Sequence, residues 1–284
     1  MNLVTNRYSF NTTDKKCKVL SINKHGTRND INEYYLNESV LPNVNNEKDL
    51  GINVDSSLSW NMHIKYNISK AKQSIGWVKR NVISRDILVM LDIYKTLVRP
   101  HLEFCVQLWC PKPCKESWAT IMDIESVQRE YTRLIDGIGL MTYKERLDRL
   151  QLTTLIERRA RGDLIEVFKI FRGLCRYGKT LLNFSRSGMN IVIKNNFSCI
   201  YNNFEIRVAN YWNKLPDNLK MSDSVVDFKK GLEKYKLKYF SRCGNYWELS
   251  DEIFNRINDS SRTSYANFMK DNIHIARRRG INIS

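Results

Sequence analysis

Residues 61–82 read NMHIKYNISKAKQSIGWVKRNV, and their apolar members Ile64, Ile68, Ala71, Ile75, Val78 and Val82 step by 4, 3, 4, 3 and 4. That alternation holds one stripe on one side of a helix that turns once in about 3.6 residues. Lys65, Lys72 and Lys79 recur every seven residues beside the stripe, Lys70 and Arg80 share the helix, and no acidic residue stands between Asp55 and Asp86. Cations at that repeat suit a phosphate backbone, because phosphate contacts add up and carry no base sequence. A merely solvated surface is the competing reading of the same lysines. Trp77 falls opposite the apolar stripe, near Lys70 and Arg80. Packing beneath a second helix is the expected fate of so large a ring, with stacking on a base or sugar as the alternative.

The helical pattern continues toward the C-terminus. Ile87 to Val98 should form a second helix, with Pro100 disturbing its continuation. Trp118, Ile121, Ile124, Gln128, Tyr131 and Ile135 mark a third, ended by Gly137 and Gly139. Leu164, Phe168, Phe171 and Cys175 define a fourth, punctuated by Gly173 and Gly178. Residues 183–203 lack periodicity and read as a loop or irregular hairpin. Ser224 is a suitable N-cap for a last helix with Phe228, Leu232, Tyr235 and Tyr239 on one face. Toward the N-terminus the period shortens: Cys17 to Ile22, Tyr34 to Leu36, Val40 to Val44 and Gly51 to Val54 read as strands separated by turn residues. So small a sheet needs something to pack on. The expected fold class is mainly α with a small N-terminal β region.

Composition draws the boundaries. Asn competes with helices for backbone hydrogen bonds; 11 fall in residues 1–60, 3 in 61–182 and 9 in 183–218. Residues 1–60 balance 7 basic against 7 acidic side chains, whereas 61–182 carry 22 against 13 and 183–284 carry 17 against 10. Four stretches follow: a strand-rich 1–60, a helical 61–182, an irregular segment with a helix at 183–240, and a basic helical tail at 241–284. All of the surplus charge lies after residue 60.

The 284 residues are 42% hydrophobic, enough for a real core, and their net charge of +16 points to a polyanionic partner. The longest apolar run, Ile87 to Leu91, is five residues, far below the roughly 18 that a spanning helix needs, and the first ten residues lack a secretory signal. An intracellular protein of nucleus or cytoplasm is expected, not a secreted or membrane one. Its 7 Cys, an odd number, suit reduced thiols better than a disulfide framework.

Several stretches occur together in one known family: FNTTDKKCKVLSI, EKDLGINVDSSLSWNMHI, YKTLVRPHLEFCVQLWCP, IESVQREYTRLI, YKERLDRLQLTTLIERRARGDLIEVFKI, RVANYWNKLP and DFKKGLEKY. They cover roughly residues 10–240. In them the chain resembles the part of a jockey-like non-LTR retrotransposon reverse transcriptase polyprotein that follows the catalytic palm. The resemblance implies a strand region near the primer terminus and, after Trp60, a helical thumb and connection module. The family's aromatic-Ala-Asp-Asp turn would precede Phe10, and no two Asp are adjacent in the sequence. Two-metal phosphoryl transfer needs clustered carboxylates. The expectation is therefore a truncated, catalytically incomplete fragment with residual binding to RNA, DNA or hybrid duplex, weak and salt-dependent. The nucleic-acid-binding residues are expected to be Lys65, Lys70, Lys72, Lys79 and Arg80. The alternatives are a helical protein-interaction module or pseudogene product, and part of an RNA-directed DNA polymerase whose palm is supplied in trans. Residues beyond Phe240 do not match the family.

Other constellations read as structural. Arg158, Arg159 and Arg161 have Glu157 and Asp163 within helical reach, so local ion pairing should account for at least two of them. His101, Cys105, Cys110 and Cys114 are interleaved with Phe104, Val106, Leu108 and Trp109, and their spacing is unlike the two tight pairs of a zinc site. His25, His63 and His274 stand in no nucleophile pattern, and there is no Gly-rich phosphate loop. Arg277 to Arg279 read as a solvated end. No catalytic residue, metal or cofactor is expected.

Overall fold

The computed structural model describes residues 17–22, 33–36, 39–111, 117–175, 182–193 and 204–239. The protein is mainly helical, with a few short strands confined to its N-terminal part. Two compact units divide it, the first ending at Tyr66 and the second beginning at Asn67.

The first unit holds three two-stranded ladders. β1 (Val19–Leu20) pairs in parallel with β4 (Asn43–Val44), and β2 (Tyr35–Leu36) pairs antiparallel with β3 (Ser39–Val40). The strand expected over Val40 to Val44 is split because Pro42 has no N–H for a ladder. β5 (Asn46–Asp49) and β6 (Ile52–Asp55) form a hairpin with Asn46 opposite Asp55 and Asp49 opposite Ile52. Leu50 and Gly51 make its turn at φ 44° and 89°, the left-handed pair that matches the twist of a tight hairpin. β5 escapes sequence reading because Asn-Glu-Lys-Asp has no apolar alternation. Ile52, Trp60, His63 and Ile64 are buried, and His63 Nδ1 accepts from Asn53 N at 3.3 Å, fastening β6 to the first turn of α1 (Asn61–Asn81).

The second unit contains the rest of α1, then α2 (Ile87–Ile93), a π-helical turn (Tyr94–Val98), α3 (Arg99–Glu103) and α4 (Val106–Trp109). Arg85 Nη2 donates to Lys79 O at 3.0 Å at the end of α1, and Asp86 accepts from Leu88 N at 2.9 Å to open α2. Neighbouring residues thus cap one helix with a cation and start the next with a carboxylate. Met90, Tyr94, Val98, Leu102 and Val106 are all buried, one every four residues. In a regular α-helix each such step overshoots a turn by about 40°, so four steps would swing the last side chain about 160° away from the first. The wider π-helical turn takes up much of that drift. Pro100 reinforces it, because its nitrogen cannot donate to the carbonyl four residues earlier. Cys105, left-handed at φ 48°, takes up what remains between α3 and α4.

α5 (Trp118–Thr132), α6 (Tyr143–Leu150) and α7 (Leu155–Phe171) follow, then α8 (Phe204–Asn213), α9 (Asp217–Lys220) and α10 (Val225–Tyr239). Thr142 and Glu145 close a capping box on α6. α7 ends in a Schellman motif: Gly173 at φ 69° donates to Ile170 O and Leu174 N donates to Lys169 O at 2.8 Å. Val167, Phe168, Val208, Trp212, Phe228 and Leu232 form one core, with the Phe168 and Phe228 rings stacked 4.3 Å apart. Ile191 joins it from a short antiparallel turn bridged to Phe184, the described part of the stretch expected to be a loop or irregular hairpin. Ser224 caps α10 by accepting from Asp227 N at 3.0 Å. Tyr239's side chain, Gly178 and residues 240–284 lie outside the described residues.

Two buried polar groups fix α7. Arg207 on α8 pairs with Asp163 on α7 (Nε to Oδ2, 2.8 Å) and donates to Cys110 O at 3.2 Å and Gln107 O at 2.9 Å beside α4. Removing one partner from such a pair costs about 3–5 kcal/mol, because the other charge is left buried. Glu125 on α5 accepts from Leu155 N at 2.9 Å, where α7 begins, and from the Tyr143 hydroxyl of α6 at 2.5 Å. Gln128 donates to that hydroxyl at 2.8 Å and accepts from Tyr94 at 2.5 Å. Burial pushes the Glu125 carboxyl up to about 7, against the pull of Tyr143, Arg159 and the α7 amides. Among the described residues no helix is long and apolar enough to cross a membrane.

Two outcomes follow from this packing. Ile75, 1% exposed, cannot accept a charge, so Ile75→Asp should abolish the cooperative thermal transition of the helical unit; an unchanged melting curve would refute the helix phase. Glu125 takes up a proton on folding between its ordinary 4.5 and about 7. Its contribution to stability is therefore full below the lower value and is lost as pH rises through the upper one, at about 1.4 kcal/mol per pH unit within that window. Denaturant titrations at pH 5, 6, 7 and 8 should show this slope in the parent and lose it in Glu125→Gln.

Candidate nucleic-acid interface

α1 offers five cations and no carboxylate, which is the arrangement expected of it from the sequence. Its apolar stripe turns inward: Ala71, Ile75 and Val78 are at most 1% exposed, and Ile68 is half-buried. The cations differ in what surrounds them. Lys65, in the first unit, is exposed, as are Lys72, Lys79 and Arg80 in the second. Lys79 Nζ is held by Glu130 of α5 at 2.7 Å, so part of its charge is already answered. Lys70 is half-buried and lies close enough to His101 to help depress its pKa, after the larger effect of burial. His101 Nε2 is 3.4 Å from Ser74 Oγ on the same helix as Lys70. Lys72 and Arg80 are the two cations of this unit's outer helix face that pair with no acidic group among the described residues.

Trp77 departs from its expected place. It is not buried and keeps 49% of its surface exposed. Its backbone carbonyl accepts from Asn81 Nδ2 at 2.8 Å, while the ring stands free of the core that Ile75 and Val78 enter. Geometry alone accounts for this, since residue 77 falls about 100° round the helix from residue 78. The neighbouring positions Gln73 and Arg80 are exposed too.

The arginine run is structural, although its partners are not the local carboxylates. Arg158 pairs with Glu103 of α3, Arg161 pairs with Glu233 of α10 at 2.8 Å, and Arg159 lies buried over the Trp109 ring at 5.7 Å. Asp163 is taken by Arg207 instead. Cys105 is exposed, Cys110 is buried with its thiol pushed up by burial, and Cys114 lies outside the described residues. Among the described residues no three His, Cys, Asp or Glu side chains are gathered to hold a metal.

His101 reports on the positive charge beside it. Its imidazole should titrate below the ordinary 6.5, and Lys70→Gln should move it part of the way back, because Lys70 is the second cause of the depression. Histidine NMR titration of parent and variant checks both; equal midpoints would remove Lys70 from this corner. Comparison with protein-family models, curated proteins and solved structures finds no match to this chain.

Proposed function

We propose that the chain is a helical, nucleic-acid-binding portion of a jockey-like non-LTR retrotransposon reverse transcriptase, from the region that follows the catalytic palm. The observation that carries the binding is α1, where five cations and no carboxylate lie on one helix and Lys72 and Arg80 face solvent. A predominantly helical body after residue 60 is what a thumb and connection module would require. Contact through lysine and arginine along a helix reads phosphates and not base edges, so binding is weak, little dependent on sequence and steeply dependent on salt. The reading assigns no polymerisation chemistry to these residues, whose sequence contains no adjacent pair of Asp.

Binding to an RNA:DNA duplex across a salt series tests this. Changing Lys72 and Arg80 together to Gln removes up to two phosphate contacts, and the slope of log K against log salt should shrink by up to about 1.8 units on B-DNA and by a similar amount on the hybrid. Lys79→Gln should change it less, since Glu130 already holds that ammonium. An unchanged slope in the double variant would move the contact elsewhere. No binding by the parent at low salt would favour a helical protein-interaction module.

A further inference from the structure

Charge alone does not explain the outer face of α1. Lys72, Gly76 and Arg80 are spaced by four and form one ridge along the helix, and Gln73 and Trp77 form the next. Gly76 leaves the middle of the first ridge empty: a Cβ built there would lie 3.4 Å from Arg80 Nη1, so the guanidinium folds back over the glycine. The result is a shallow strip with an ammonium at Lys72, a guanidinium above Gly76 and a half-exposed indole at Trp77 alongside. No carboxylate lies on the helix, so an anionic partner meets no repulsion from it.

We infer that this strip binds an unpaired stretch of polynucleotide, with a phosphate between Lys72 and Arg80 and a base stacked on Trp77. The inference rests on the nucleic-acid reading above and narrows it. A duplex offers α1 its phosphates but keeps its base faces stacked inside, leaving the indole without a partner. A single strand brings the phosphate and the π-face together, the two groups that this strip complements. The guanidinium over Gly76 adds a planar cation beside the base.

The test compares a single-stranded oligouridylate with an RNA:DNA duplex of equal length, using the full chain. Trp77→Ala should weaken single-strand binding roughly 5- to 150-fold, the effect of losing one stacked base, with the salt slope unchanged because stacking releases no counterions. Trp77→Phe should restore most of the affinity, and duplex binding should change little in either variant. A 4-thiouridine oligomer should crosslink to the peptide containing Trp77, a readout on the parent that no variant's folding can obscure. Equal single-strand affinities for parent and Trp77→Ala, or a crosslink that maps elsewhere, would overturn the stacking site while leaving the phosphate contact of Lys72 and Arg80 standing. Loss of binding to both nucleic acids at low salt would overturn both readings. Binding to vesicles rich in anionic lipid, with none to either nucleic acid, would reassign the strip to a membrane surface.

Discussion

A carboxylate removed from water has to be met by donors, and Glu125 on α5 is met by two other helices at once. Its oxygens take the first amide of α7 and the hydroxyl of Tyr143 on α6, while its own backbone belongs to α5. Because the side chain is fully buried, each missing donor would leave a charge or lone pair unanswered in a medium that penalises it heavily. The relative placement of α5, α6 and α7 is therefore tightly constrained. Gln128 extends the constraint to Tyr94, and through it to the π-helical turn. Once α7 is fixed, Asp163 on it can receive Arg207, and α8 comes in with the aromatic core that closes over Phe168.

Charge pairs join elements both inside this unit and at its surface. Arg207, Arg158 and Arg161 all have carboxylate partners on other elements. On α1, Lys72 and Arg80 have no acidic partner among the described residues, and the helix sequence contains no acid to answer them. A high net charge spread evenly would describe solubility only. A residue of unpaired cations on one helix, beside an exposed indole, describes a surface with a preferred kind of partner.

The elements legible in the sequence are those whose period matches ordinary geometry. α1 is readable because its apolar steps alternate four and three, and α10 because Ser224 precedes a clean stripe. β5 is illegible because it is held by its partner strand and a left-handed turn, and its four polar side chains record neither. α6 was there to be read in Thr142 and Glu145, three residues apart, but the capping box is short and the helix behind it has only eight residues. The place of the five cations on α1 is legible in the sequence, whereas the pairing of Lys79 is not: Glu130 lies 51 residues away, and no local rule connects them. Trp77 stays exposed because its angle on the helix outweighs the size that argues for burial. That angle was already in the sequence.

The π-helical turn bears on how this segment can change in length. The π-helical turn from Tyr94 to Val98 holds more chain per turn than an α-helix does. Losing one residue between Tyr94 and Val98 would shorten one step to three, which ordinary helical geometry absorbs with the same side chains still facing inward. Gaining one would lengthen the step to five and turn Val98, Leu102 and Val106 toward solvent. The segment is a one-way ratchet in length: it carries a spare residue that it can shed, and it has nowhere to store another.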